Sequence, residues 1–153
     1  MSTTALQAMA AIRARLEADD AGISIPLRWH GEDSPPLPDA PMAFGFVVFN
    51  NQGSGGAPIE FGGGAGRNRW RNRAVVEAYV FVPNSAGLTA AMEHAETIAG
   101  RLRSFRDSAV SCFSADVIPI GAGASVSPPG VKSEVAHYQS AVCEVTLHFD
   151  QVG

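Results

Sequence analysis

The chain predicts an α+β domain: a mainly antiparallel β-sheet with two amphipathic helices packed on one face and a long Gly-rich loop. Three observations carry that prediction. Two segments repeat apolar residues every three or four positions, four others are β-branched, aromatic or alternating, and 16 Gly with 10 Pro punctuate the rest. At 153 residues and 46% hydrophobic composition, residues 1–153 form one domain able to bury a core without a disulfide or metal staple.

In order along the chain, Thr4 and Gln7 have capping-box spacing, and Leu6, Met9, Ile12 and Leu16 form an apolar stripe, which predicts a helix over 4–19. Asp19, Asp20 and Gly22 stop it. A short extended segment, Ile23 to His30, leads into a loop with Pro35, Pro36, Pro38 and Pro41, a density that forbids regular structure. Met42 to Asn50 reads as a strand inside the sheet. Seven glycines between residues 51 and 66, among them Gly62, Gly63 and Gly64, predict a long loop or hairpin tip that moves in the free protein.

From Arg67 to Val82 the pattern alternates. Trp70, Ala74, Val76, Ala78, Val80 and Val82 share one face, and Arg67, Arg69, Arg71, Arg73, Glu77 and Tyr79 share the other. Pro83 ends the strand, and Asn84 or Ser85 is positioned to cap a helix striped by Leu88, Ala91, Met92, Ala95, Ala99 and Leu102. Two further strands, about Val110 to Ile120 and Val135 to Asp150, flank a loop containing Pro128, Pro129 and Gly130. Trp70 reads as a core residue, whereas the sequence leaves Trp29 open between core and contact surface.

The net charge of −4 is unevenly spread: residues 1–66 carry −4, residues 67–106 carry +4, and residues 107–153 carry −4. An acidic whole excludes a protein that coats nucleic acid or acidic membranes. Ten of the eleven basic residues are Arg, whose planar fork suits specific pairing with carboxylates. No apolar run approaches the roughly 18 residues a membrane span needs, and no leader pattern precedes Arg13, so neither export nor anchoring is expected.

Several motifs dissolve on inspection. The glycines at Gly62, Gly63, Gly64 and Gly66 precede an alternating strand, not a helix with Lys-Ser/Thr, so they are no phosphate loop. His30, His94, His137 and His148 lack metal-ligand spacing, and His30-Gly31-Glu32-Asp33 reads as a polar turn; no cofactor or metal is expected. Cys112 and Cys143 lie in apolar surroundings without CxxC spacing and read as buried free thiols.

The stripe Arg67, Arg69, Arg71, Arg73 resists a bland account. Side chains about 6.8 Å apart on one strand face repel one another unless counterions, acids or phosphates lie opposite. A solvated edge with counterions is one account; of the two contact readings, the sequence favours acids on a neighbouring copy over nucleic acid, because both flanking segments are acidic and Trp70 points away from the arginines.

The order of elements resembles the phage tail terminator-like (tail completion) proteins of long-tailed phages and gene transfer agents. The residues that carry it are Ile25-Pro26-Leu27-Arg28-Trp29 after the first helix, Pro41-Met42-Ala43-Phe44 after the proline turn, and Phe61-Gly62-Gly63-Gly64-Ala65-Gly66-Arg67. The strand Arg73 to Pro83, the helix Gly87 to Phe105 and the strand Tyr138 to Phe149 complete it. The resemblance covers nearly the whole chain. It implies a non-enzymatic virion protein, a protomer of a ring, usually of six copies, that caps the tail tube and stops its growth. Its partners would be further copies, the tube protein and the connector or stopper, with DNA passing through without sequence-specific binding and no membrane involved. Assembly would occur in the host cytoplasm and the ring would stay in the tail neck. Arg67, Arg69, Arg71, Arg73, Trp29, Gly62, Gly63 and Gly64 are the candidate contact residues between protomers or with the tube. The rival readings are another neck or tail ring component, and a small thiol enzyme using Cys143, His137 and Glu144 or Asp116.

Overall fold

Thr4 opens helix α1 (Ala5–Glu17) as its spacing dictates: its hydroxyl accepts the Gln7 N–H at 3.2 Å, and the Gln7 side chain accepts the Thr4 N–H at 2.8 Å. The computed structural model describes residues 2–36, 40–55, 59, 66–122 and 138–153. Ala8, Ile12 and Leu16 follow at four-residue intervals and are buried together.

Five strands form one sheet: β1 (Leu27–Trp29), β2 (Phe44–Gly53), β3 (Arg69–Pro83), β4 (Ser111–Ala122) and β5 (Tyr138–Val152), in the spatial order β1-β2-β3-β5-β4. Every pairing is antiparallel except β1 with β2. At Gly45 the Leu27 side chain lies over the backbone: a Cβ there would come within 2.7 Å of Leu27 Cδ2 and displace that side chain. Helix α2 (Gly87–Leu102) crosses back over the sheet after β3. A 3-10 turn, Asn84–Ala86, precedes it, so neither Asn84 nor Ser85 caps it; Ala86 takes that position without a side-chain bond.

Both helices pack on one face of the sheet. Ala74, Val76, Ala78, Val80 and Val82 of β3 and Ala141, Cys143, Val145, Leu147 and Phe149 of β5 meet Ala91, Ala95, Ile98, Ala99 and Leu102 of α2, while α1 extends the same core toward Val47 and Trp29. The helix ends are clasped by their own arginines. Arg15 Nε donates to the Arg101 carbonyl at 3.1 Å, Arg101 Nε donates to the Arg15 carbonyl at 3.3 Å, and Arg101 also pairs with Asp20 at 2.6 Å.

Of the two tryptophans, the one left open is core and the one expected in the core is not fully buried. Trp29 is buried in the core, its indole N–H donated to Glu17 Oε1 at 2.8 Å and its ring covered by the Arg13 guanidinium at 5.1 Å, so within the chain it serves as a core residue. Trp70 is half-exposed, because on this face of β3 the apolar core begins only at Ala74. The second face also holds more apolar matter than alternation suggested: Phe44, Phe46, Phe81 and Tyr138 form a separate buried cluster there, with Phe44 stacked on Phe81 at 5.0 Å.

Candidate protein interaction face

The face of the sheet without helices, here the outer face, holds the arginine stripe. Cross-strand register fixes its layout. Arg71, Arg73, Val75, Glu77, Tyr79 and Phe81 of β3 lie opposite Asp150, His148, Thr146, Glu144, Val142 and Ser140 of β5. Asp116 and Ile118 of β4 stand opposite Glu144 and Val142 on the far side, and Val48 and Phe46 of β2 oppose Glu77 and Tyr79. The face therefore reads in bands along the strands: a basic end, a short neutral band, an acidic row and an aromatic end.

At the basic end the acid expected on a neighbouring copy comes from the chain itself. Asp150 accepts Arg71 Nε at 2.9 Å and Arg71 Nη2 at 3.0 Å, a bidentate pair, and also bonds Arg69 Nη2. The Arg71 hydrogen bond, joined by that of Arg69, holds the Asp150 carboxyl below its usual value. Arg73 lies opposite His148, is exposed, and has no ion pair among the described residues. Arg67 precedes β3 and so drops out of the stripe. Because β3 lies at the middle of the sheet, the stripe is not on an edge strand.

Sequence reasoning missed what gathers beside this end. The β4 register shifts between Cys112 and Ser114, which leaves Phe113 out of step; its ring packs on His148 at 4.5 Å, with the Arg106 guanidinium 5.9 Å away. Burial, then Arg71 and Arg73, push the His148 pKa down. Arg69, Arg71, Arg106, Phe113, His148 and Asp150 line a shallow cleft of about 420 Å³.

The acidic row also escaped the sequence. Glu77, Glu144 and Asp116 sit side by side on three adjacent strands, and no cation pairs with any of them among the described residues. The Tyr79 hydroxyl donates to Glu77 at 2.6 Å, and burial with that bond raises the Tyr79 pKa to about 12.

The remaining expected residues divide. Gly62, Gly63, Gly64 and His137 lie outside the described residues, as does most of the 51–66 stretch; its first residues belong to β2, and Ile59 donates its N–H to the Arg69 carbonyl at 2.7 Å. Cys143 and Cys112 are buried free thiols, pushed by burial up to about 12 and about 11. Cys143 faces the helices whereas Glu144 and Asp116 lie on the outer face, so the sheet separates the proposed thiol from both proposed acids. Glu32 of the polar turn is paired with Arg13. Among the described residues no cluster of His, Cys, Asp or Glu is arranged to hold a metal ion, and no helix is long and apolar enough to cross a membrane. No protein-family model matches the chain, and no curated protein matches it.

Proposed function

We propose that the protein is a structural protomer of a ring that caps a phage-type tail tube, stops its growth and joins it to the connector beneath the capsid. The observation that carries this reading is a pair of unlike sheet margins. On one side β4 is an edge strand of 12 residues with Phe113 and Ile118 exposed at 49% and 46%. On the other, β1 pairs only with Gly45–Val47, so among the described residues β2 has no strand partner outside Val48–Gly53. A head-to-tail contact that closes into a ring joins two different patches of the same subunit, which two different margins supply. Exposed apolar side chains on a chain with few charges favour burial against another copy. Further copies, the tube protein and the connector are the partners, and DNA passes through the ring without base-specific contacts. The tail neck is its place after assembly in the host cytoplasm.

Native mass spectrometry and electron microscopy of the purified protein test this directly. The expected result is a closed ring of fixed copy number that arrests cylinder growth when added to polymerising tube protein. A monomer at all concentrations, with tube length unchanged, overturns it; long cylinders formed by the protein alone assign it to the tube instead.

A further inference from the structure

One neutral row of the outer face separates Arg73, which has no ion pair among the described residues, from an acidic row that no cation pairs there. Arg73 and His148 form one row. Val75 and Thr146 form the next, with Asn50 and Ser114 beside them. Glu77, Glu144 and Asp116 form the third. Like charges directly opposite one another on neighbouring strands destabilise a sheet. Three carboxylates in register on three strands, with no cation paired to any of them among the described residues, therefore ask for a positive surface from elsewhere. Arg73 lies four residues from Glu77, about 14 Å along the strand, too far to form that pair within one copy.

We infer that two copies of the chain dock through this face, antiparallel, with Arg73 of each lying over the Glu77–Glu144–Asp116 row of the other. The geometry follows from the bands. A twofold axis through the Val75–Thr146 row, perpendicular to the strands, sets each Arg73 over Glu77 of the other copy and each His148 over its Glu144, so one operation forms the Arg73–Glu77 pair twice. Sheets stacked face to face lie about 10 Å apart with strands near 30° from alignment, a gap that Arg and Glu side chains bridge. A patch four strands wide and five rows long covers about 500 Å² per copy, at the low end for a specific contact, so the pair is weak and salt-sensitive. This contact borders the β4 margin at Phe113 and Ile118, but its Arg73 and Glu77 lie on the central strand β3, so it does not depend on the ring.

A charge swap tests it. Sedimentation velocity of the full chain in low salt is compared for wild type, Arg73→Glu, Glu77→Arg and the double variant, with circular dichroism to confirm folding. The proposal expects association by twos, weakened at least tenfold in each single variant, restored in the double variant to within about threefold, and abolished in wild type as salt rises. Association unchanged by the single variants overturns it, as does a folded double variant that stays unpaired. A wild type that never pairs, yet binds an oligoarginine peptide that Glu144→Gln no longer binds, assigns the acidic row to a foreign cationic partner and also overturns it. Failure here is separable from failure of the ring. Rings indifferent to the swap refute the face-to-face pair alone, and swap-sensitive pairs without rings refute the ring alone.

Discussion

The two faces of the sheet are built from the same strands yet solve different problems. The helix side is apolar along its length from Ala74 to Val82 and is closed by α1 and α2. The outer side buries Phe44, Phe46, Phe81 and Tyr138 together at its aromatic end and still covers Val142 and Val75, and from Arg73 toward Arg69 it is polar. A strand with buried residues on both sides at one end and on one side at the other thus grades from core to exposed surface within fifteen residues. What is held by packing and what is held by charge are separated along the strands as well as across them.

The sharpest way to break that comparison is to truncate one large side chain from each side. Leu147→Ala on the helix side and Phe81→Ala on the outer side are each expected to cost about 3 kcal/mol, since both are almost fully buried, measured by urea unfolding. A loss below about 1 kcal/mol for Phe81→Ala means that the outer face is a surface throughout.

Asp150→Asn gives a smaller change, a loss of about 1 kcal/mol or less, because its arginine partners are substantially exposed. It also alters the acid limb. The Asp150 carboxyl titrates lower in the folded protein, so its stabilisation is complete above about pH 4 and disappears as pH falls through the folded value; the variant lacks that segment of the stability curve. His148 is depressed as well, so stability also declines as pH falls below about 6.5, and that upper segment persists in Asp150→Asn. The smallest effect belongs to the acidic row. Glu144→Gln is expected to stabilise the isolated chain by about 0.5 kcal/mol by relieving repulsion from Glu77 and Asp116, read as a rise in the urea midpoint at low salt. A destabilised variant means that Glu144 has a compensating role within the chain.

The helices, the strand spans and the alternation of β3 were legible because each is written in local spacing: Thr4 with Gln7, Ala91 with Ala95 and Ala99, the arginines at every second position. Strand order was not, because β5 inserts between β3 and β4, and nothing local says so. That one placement brings Asp150 to Arg69 and Arg71, Phe113 to His148, and Glu144 between Glu77 and Asp116. The site's basic half was therefore readable in part, and its acidic half was hidden by sequence distance. Trp29 was equally hidden, because its partner Glu17 lies on a helix whose orientation depends on the whole core.

The register of β4 is interrupted twice, between Cys112 and Ser114 and between Pro119 and Gly121, and Pro119 has no amide hydrogen to offer. An unbroken rim of that length would template strand after strand into a ribbon without end. With those two defects, and a residue that cannot donate, the rim is a poor template for another strand.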